Sequence, residues 1–382
     1  MALIERGGGI EGFVYFMQKK QGLVTSQRSA LLIPFLIGIV IFIESSITSL
    51  IAGAVGKPLC DREGVSRAKL AFVCDSTAAP ISSLILLNGW GALLLGLITS
   101  QIDKGLIEGD GVAILFEAVV YNFYAMSAVV VTFFTLWFGI DIGAMRDTKG
   151  VVEGKFMERL EEGASLYLML LPILFMLFAL FTFLYITGEG NILKGSGSSS
   201  LFYTMLTTLL FIALYYKKAS VMSFQLFFRV AFGGAKKLFP IAMILLLAFA
   251  IGRVTSEMGT GAYLASFANE NLHVYLLAGT IFLLSSLISF STGTSWGTFS
   301  IMIPIAVPMA VGMDANVALA IGAVMSGGVF GDHCSPISDT TIISSMAAEC
   351  EVVEHVKTQL PYALISGVMA FILFFLFSLG SS

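Results

Sequence analysis

Charged residues are scarce in this sequence: Asp, Glu, Lys and Arg together make up only 12% of its 382 residues. Hydrophobic residues make up 57%, and the mean hydropathy is +0.91. Since soluble domains carry about 25% charged residues, this composition excludes an ordinary water-soluble enzyme or binding module. We therefore expect most of the chain to lie in a lipid bilayer.

Cysteine is also rare, and Cys60, Cys74, Cys334 and Cys350 have no paired CxxC spacing. Their placement argues against a zinc site or a disulfide framework and predicts buried thiols. The net charge is only -4, and no basic tract with interleaved aromatic residues occurs. We therefore expect neither a nucleic-acid partner nor a bound cofactor.

Long apolar runs dominate the chain instead. A helix of about 20 apolar residues crosses the hydrocarbon core of a bilayer, and in lipid its backbone satisfies its own hydrogen bonds. The sequence therefore predicts an all-α polytopic membrane protein. Ordinary crossings are expected at residues 113–139, 164–187, 200–216, 238–252 and 358–379.

Polar residues interrupt two further apolar segments in the middle. Residues 30–59 are interrupted at residues 44–49, and residues 273–311 at residues 291–295. Because each arm looks too short to span the bilayer comfortably, this pattern predicts two re-entrant hairpins with polar tips.

Helix-breaking residues interrupt another two segments. Residues 69–98 contain Asp75 and Pro80 within residues 74–80, and residues 316–346 have a similar interruption at 331–336. Both segments are predicted to be discontinuous crossing helices with breaks at these positions.

The interrupted segments indicate an internal repeat, because a hairpin precedes a broken helix in both halves. Ala79-Pro80-Ile81-Ser82-Ser83 also aligns with Ser335-Pro336-Ile337-Ser338-Asp339. Since an odd number of crossings separates the two broken helices, the halves face opposite ways, as in inverted-repeat transporters.

This repeat predicts the organisation of the chain. Residues 1–139 form an incomplete first repeat, residues 140–163 a cytoplasmic loop, and residues 164–382 the second repeat. The first repeat lacks two crossings that the second one has, so we expect additional helices before Met1 in the complete protein.

Basic residues concentrate on one side of this topology. If the first hairpin opens to the cytoplasm, the positive-inside rule is satisfied, which predicts a multi-pass protein of the bacterial inner membrane. Residues 217–237, whose charged ends flank several phenylalanines, predict an amphipathic helix at the cytoplasmic surface. The basic residues placed inside include Lys57, Arg62, Arg67, Lys69, Arg146, Lys149, Lys217 and Lys218.

Four carboxylates fall within the interrupted segments: Glu44, Asp75, Asp332 and Asp339. A carboxylate at the bilayer centre costs at least about 2.5–3.5 kcal/mol, so it persists there when it is paired, hydrated or binds an ion. Asp75 and Asp332 are therefore the sodium candidates, and the alternative is that each caps a half-helix. Glu44 is either a proton-responsive group or a counterion for lysines, and Asp339 either binds the ion or lines a vestibule.

Hydroxyl side chains cluster at the same interruptions. Their oxygens are hard ligands that suit sodium, whereas half-helix N-termini attract anions; the alternative is that the hydroxyls hold helices together. His333, beside Asp332, either tunes or relays a proton or is structural. The candidate hydroxyls are Ser45, Ser46, Thr48, Ser76, Thr77, Ser291, Thr292, Thr294, Ser295, Ser335 and Ser338.

Four long motifs lie in and beside the interrupted segments: Val65-Ser66-Arg67-Ala68-Lys69-Leu70-Ala71, Asp75-Ser76-Thr77-Ala78-Ala79-Pro80, Phe290-Ser291-Thr292-Gly293-Thr294-Ser295-Trp296-Gly297-Thr298 and Gly331-Asp332-His333-Cys334-Ser335-Pro336-Ile337-Ser338-Asp339-Thr340-Thr341. These motifs resemble those of the NhaC family of sodium/proton antiporters. The resemblance implies electrochemically driven exchange of Na+ for H+, a homodimer, and further helices before Met1; some relatives carry malate and lactate or amino acids instead.

The leading interpretation is sodium/proton antiport by alternating access, in which Asp75 and Asp332 bind Na+ or H+ in competition. The alternative is a sodium-coupled amino-acid or carboxylate transporter of the same family, because no dedicated arginine at a hairpin tip decides between them. An intramembrane hydrolase lacks a supporting GxSxG or HExxH motif, and a channel suits two symmetric closed hairpins less well. The expected partners are the lipid bilayer and small ions or ionic solutes.

Overall fold

The computed structural model describes residues 2–9, 12, 26–42, 45–86, 88–150, 165–190, 197–237, 250, 254, 257–258, 263, 266 and 272–380. The regular secondary structure of these residues is α-helical, apart from a 3-10 helix at Gly143–Asp147. The helices are α1 (Ala2–Arg6), α2 (Gln27–Val40), α3 (Ser45–Glu63), α4 (Arg67–Leu84), α5 (Gly89–Asp103), α6 (Gly111–Val120), α7 (Phe123–Phe138), α8 (Tyr167–Thr187), α9 (Gly197–Lys218), α10 (Phe224–Lys237), α11 (Val274–Thr292), α12 (Ser295–Gly312), α13 (Val317–Cys334), α14 (Asp339–Ala348) and α15 (Val352–Gly380).

Six helical segments in the described part of the chain are long and apolar enough to cross a membrane. The pair α4 and α5, whose axes differ by 41°, makes a seventh when it is counted as one bent span. These segments confirm an all-α polytopic membrane protein. The six are Phe123–Asp147, Tyr167–Thr187, Val274–Thr292, Ser295–Gly312, Val317–Cys334 and Val352–Gly380. The crossing expected at 238–252 lies outside the described residues.

The helices form two compact units, the first of which contains Met1–Leu23 and Lys155–Met243. In this unit α8 packs against α9, and α1 packs against α10. The Tyr216 hydroxyl donates a 2.6 Å hydrogen bond to the Leu168 carbonyl oxygen. The surface helix expected at 217–237 corresponds to α10, which buries Phe227 and exposes Phe228 and Phe232.

The second unit contains Val24–Gly154 and Ile244–Ser382, and α4 and α13 lie in its interior. Every side chain of α4 from Leu70 to Ser83 is buried, and α13 is buried over nearly its whole length. The two helices contact each other and both contact α7, α14 and α15. Because they are surrounded by protein on all sides, polar groups on them can be held without facing lipid.

The first discontinuous helix breaks later than the sequence predicts. Helix α4 runs through residues 74–80 without interruption, and the break falls between Leu84 and Gly89. Asn88 explains this position: its amide nitrogen donates to the carbonyls of Ser82 and Ile85 at 2.8 Å, and its oxygen caps α5. The asparagine thus satisfies backbone groups of both helix ends, whereas Pro80 removes only one donor.

The crossing predicted at residues 113–139 is also divided, at Tyr121 and Asn122, into α6 and α7. Asn122 is fully buried. Its amide nitrogen donates to the Ser83 hydroxyl at 2.9 Å, and its oxygen accepts from the Ser326 hydroxyl at 3.1 Å. These contacts stabilise the break, since a buried asparagine needs partners that a continuous apolar helix does not supply.

The second discontinuous helix breaks at residues 335–338, between α13 and α14. This break overlaps the end of the one predicted at residues 331–336.

The two helix pairs, α2 with α3 and α11 with α12, pack as hairpins. The arms α11 and α12 have 19 and 18 residues, and both are long enough to span. The expectation of arms too short to span is therefore wrong for this hairpin, because polar residues at its tip do not shorten the flanking helices. Re-entrancy and the inverted repeat stay predictions.

An ionic cluster joins the ends of α3, α4 and α14. Glu349, which follows α14, pairs with Lys57 and accepts a 2.7 Å hydrogen bond from Arg67 Nη1. Arg67 also lies 3.4 Å from Asp61. The hydrogen bond from Lys57, with the charges of Lys57 and Arg67, holds the pKa of Glu349 below its usual range.

Replacing Glu349 by glutamine is expected to lower stability slightly, by about 1 kcal/mol or less, because 55% of its side chain is exposed. A carboxylate with a lowered pKa stabilises the fold above its unfolded pKa of about 4.3 and loses that effect as the pH falls through its folded pKa. The difference in melting temperature between wild type and Glu349→Gln should therefore be present at pH 7 and disappear in acid. Glu108→Gln, at an exposed loop position, should show no difference at either pH.

Candidate ion-binding site

Asp75, in the middle of α4, is completely buried and uses its two carboxylate oxygens differently. Oδ2 lies 2.8 Å from Gln359 Nε2, 3.2 Å from His355 Nε2 and 3.3 Å from the Thr341 hydroxyl. Oδ1 has no hydrogen-bond partner. Helices α14 and α15 thus direct their donors to one oxygen and leave the other one open.

Two histidines flank Asp75, and both are buried. His333 Nε2 lies 3.9 Å from Asp75 Oδ2 and 3.2 Å from the Ser76 hydroxyl, while its Nδ1 lies 2.7 Å from the Tyr124 hydroxyl. His355 contacts Asp75 through Nε2, and its Nδ1 has no partner. The arrangement places two groups of proton donors and acceptors side by side: Tyr124, His333 and Ser76 are hydrogen-bonded to one another, and Asp75 is hydrogen-bonded to His355, with 3.9 Å between His333 and Asp75.

Asp332 is also a buried carboxylate, and it lies in the last turn of α13. Its Oδ2 accepts a 2.9 Å hydrogen bond from the hydroxyl of Ser295, the first residue of α12. Its Oδ1 has no partner. The helix dipole of α13 disfavours a negative charge at its C-terminal end, whereas the N-terminal end of α12 favours one. A cation at Oδ1 would be favoured by both the carboxylate and the α13 terminus.

Both carboxylates therefore present an oxygen without a partner inside the protein, although most buried polar atoms in proteins are hydrogen-bonded. The side-chain oxygens of Gln359 and Gln101 share this property, and of these two only Gln359 bonds to Asp75. Carboxylate and amide oxygens are ligands for hard cations. Within the described residues, no group of three or more His, Cys, Asp or Glu side chains is arranged to hold a metal ion.

The structure brings three of the other predicted site residues to these carboxylates: Ser295 and Ser338 bond to Asp332, and His333 lies 3.9 Å from Asp75. Ser76 bonds to His333. Asp339 is instead exposed in the first turn of α14. Glu44 lies outside the described residues.

Most of the predicted hydroxyls bond to backbone or to each other. Ser291 and Thr292 are exposed and donate to carbonyls one turn earlier, as Thr77 does inside α4. Such intrahelical bonds are the ordinary outcome for Ser and Thr in helices. In the same way, Thr48 bonds to the Ile41 carbonyl, Thr294 caps α12, Ser335 donates to the Phe290 carbonyl, and Ser338 pairs with Thr340, while Ser45 is buried and Ser46 half-buried.

Four contributors to the site are absent from the sequence-based predictions: Tyr124, Thr341, His355 and Gln359. Two of them, His355 and Gln359, could have been recognised from the sequence. Histidine occurs only three times in the chain, and His355 is four positions before Gln359 in α15, so both lie on one face of that helix. Buried polar residues on one face of an apolar helix indicate a function.

The sequence profile of the Na+/H+ antiporter family matches residues 84–379, which is well over half of the chain. The chain belongs to the Na+/H+ antiporter family. This membership confirms the resemblance to NhaC proteins and makes the chain a multi-pass transporter of an antiporter family, not an enzyme.

Curated proteins similar to this chain include two antiporters. An uncharacterized protein of Haemophilus influenzae is 33% identical over 381 residues, which are 95% of this chain and 73% of that protein. An uncharacterized Na+/H+ antiporter of the same organism is 40% identical over 99 residues, 25% of this chain and 21% of the relative. The malate-2H+/Na+-lactate antiporter of Bacillus subtilis is 36% identical over 101 residues, 26% of this chain and 21% of the relative. The chain thus matches only about a fifth of each named antiporter.

Proposed function

We propose that this protein exchanges Na+ for H+ by alternating access in the bacterial inner membrane, with Asp75 and Asp332 as the groups for which the two ions compete. One observation carries the proposal: Asp75 and Asp332 are buried among partners in the described residues that include no lysine or arginine, unlike the buried Asp61 beside Arg67, and each has one bonded oxygen and one without a partner. An open carboxylate oxygen accepts either a sodium ion or a proton. The protein would function within the bilayer, and a homodimer is its expected assembly.

Competition for these oxygens explains coupling. An uncompensated buried charge is costly, so an empty, ionised carboxylate disfavours the conformational change that moves the site across the membrane. Binding of either Na+ or H+ removes this penalty. The loaded forms therefore interconvert between the two sides, and one ion moves in exchange for the other.

A sodium-coupled exchange of organic acids is the second candidate, supported by the printed activity of the Bacillus subtilis relative and by the helix N-termini of α12 and α14 beside the site. Against it, the hydrogen-bond and ion-pair partners of Asp75 and Asp332 in the described residues include no lysine or arginine. A carboxylate substrate would meet two like charges without a fixed counterion, so the site favours a cation.

Proton movement in everted membrane vesicles tests the proposal. The vesicles carry the full chain and a pH-sensitive dye, are acidified by respiration, and then receive NaCl or choline chloride. We expect Na+ alone to dissipate the proton gradient. A response that occurs only when malate, lactate or an amino acid is added would replace antiport by organic-acid or amino-acid exchange.

Asp332→Asn is expected to reduce this Na+ response at least about tenfold, a loss of about 1.4 kcal/mol in binding or more, because the amide keeps the Ser295 contact but removes the charge. Asp314→Asn provides the matched control, since Asp314 is exposed and its left-handed backbone conformation suits asparagine. A normal Na+ response in Asp332→Asn, at wild-type amounts of inserted protein, would remove Asp332 from the mechanism.

A further inference from the structure

Gln359 has an unusual environment for a residue of the last membrane helix. It is only 1% exposed, and it lies in α15 one turn beyond His355. Burying a primary amide in a membrane protein is unfavourable unless its polar atoms have partners. The surroundings of each amide atom therefore indicate what the side chain does.

The orientation of the Gln359 amide is set by its partners. Its nitrogen lies 2.8 Å from Asp75 Oδ2 and 2.6 Å from the His333 carbonyl oxygen. A carboxylate and a backbone carbonyl both accept hydrogen bonds, so the group facing them must be the NH2. The oxygen Oε1 consequently points elsewhere, and it has no partner although it is buried.

The atoms around Asp75 divide into two sets. The donors of Thr341, His355 and Gln359 all converge on Oδ2. The same residues, with Asp75 itself, leave three buried atoms without partners: Asp75 Oδ1, Gln359 Oε1 and His355 Nδ1. When His355 donates through Nε2 as a neutral ring, its Nδ1 is an acceptor. All three open atoms are then acceptors.

An acceptor-only set selects its ligand by charge. An anion or a neutral acceptor would find no donor there, because the donors are already directed at Oδ2. A cation or a neutral donor such as water satisfies such atoms, and leaving a buried acceptor unsatisfied costs about 1–3 kcal/mol. The negative charge of Asp75 favours the cation over water. The carbonyl oxygen of a glutamine is a neutral hard ligand of the kind that alkali cations take.

We propose that Gln359 Oε1 is a direct ligand of the transported cation, beside Asp75 Oδ1, and that the cation is an alkali metal ion. This inference rests on the proposed function and adds the last helix to the binding site. His355 acts as a positioning residue, since its contact with Oδ2 turns Oδ1 toward the cation. Helix α15 thereby sets both the affinity and the selectivity of the site.

Sodium-dependent thermal stabilisation of the purified protein tests the assignment without relying on transport. The melting temperature is measured in detergent against NaCl, LiCl and choline chloride at constant ionic strength, because a ligand at free concentration L that binds the folded state stabilises it by RT ln(1 + L/Kd), so the dependence on concentration gives the affinity. The variants are Gln359→Met, which has no amide, and Gln359→Glu, whose carboxyl, protonated beside Asp75, keeps an acceptor oxygen at the same place and one O–H donor toward Asp75 Oδ2. Gln101→Met is the matched control, since Gln101 is an equally buried glutamine in α5 whose Oε1 also has no partner, but whose nitrogen bonds to a carbonyl of its own helix and not to a carboxylate.

For a ligand role, Gln359→Met should raise the half-saturating Na+ concentration at least about tenfold and change the ratio of Li+ to Na+ affinity. Gln359→Glu should remain within about threefold of wild type, and Gln101→Met should match wild type. Equal losses in Gln359→Met and Gln359→Glu, with an unchanged Li+ to Na+ ratio, would show that the amide only positions Asp75 and would overturn the proposal. Unchanged Na+ stabilisation in Gln359→Met would do the same.

Failure of this inference and failure of antiport give different results. Wild-type vesicles that move protons on Na+ addition, together with Gln359→Met protein that binds Na+ normally, would contradict the role of Gln359 alone. Wild-type protein that is stabilised by Na+ through Gln359 but moves no protons would keep the binding site and contradict the antiport.

Discussion

Asp75→Asn is expected to abolish coupled transport, with a reduction in Na+-dependent proton movement of at least about 100-fold, or about 2.7 kcal/mol. The asparagine oxygen can still accept from Gln359, His355 and Thr341, so the helices around it keep their contacts. What is lost is the negative charge and the open acceptor Oδ1, which the NH2 group replaces with a donor. The expected result is thus an inserted, folded protein that does not exchange Na+ for H+.

The assay is the Na+-induced collapse of the proton gradient in everted vesicles, with the amount of inserted protein measured in the same membranes. Asp110→Asn is the control, because Asp110 is an exposed cap of α6 and asparagine caps helices equally well. Transport in Asp75→Asn within a few-fold of that control would mean that Asp75 has a structural role.

Gly331→Ala is expected to lower the stability of the folded protein sharply. A Cβ at Gly331 would lie 2.2 Å from the Ser286 carbonyl oxygen and 2.6 Å from the Phe290 amide nitrogen, both backbone atoms of α11. Because backbone of a packed helix cannot move aside as a side chain does, α11 and α13 must separate, and overpacking of this kind costs about 1–3 kcal/mol or more. Asp332 is the next residue, so transport should fall with stability.

Melting temperature in detergent and the yield of inserted protein measure this effect, and we expect a decrease of several degrees. Gly233→Ala in α10 is the matched control, since a Cβ there meets nothing within 4 Å and alanine favours a helix over glycine. Equal melting temperatures in the two variants would show that α11 and α13 are not packed as closely as described.

Much of the fold could be predicted from local properties of the chain. Apolar run length identified the segments that correspond to α8, α9 and α15, because transfer of a helix into lipid depends on its own composition. The same reasoning identified Asp75 and Asp332, since an aspartate inside an apolar segment is conspicuous without any knowledge of its neighbours. The motifs around them were sufficient to identify the family.

The positions of the helix breaks could not be predicted in this way. Pro80 was predicted to break a helix but lies inside α4. Asn88 and Asn122 were not predicted to be at breaks, but they lie at the starts of α5 and α7. An asparagine stabilises a break only if carbonyls and hydroxyls from other segments, such as Ser83 and Ser326 for Asn122, lie within reach. That condition depends on how the helices pack.

The sequence alone determined that this protein is an α-helical membrane transporter with carboxylates inside its apolar segments, because hydrophobicity and charge belong to each residue wherever it lies. Only the tertiary structure decided which polar groups meet. It directed the hydroxyls of Ser291 and Thr292 to their own helix and brought His355 and Gln359 of α15 to Asp75 of α4. The physical reason is that a hydrogen bond or an ion ligand requires atoms about 3 Å apart, and packing of helices distant in sequence sets those distances.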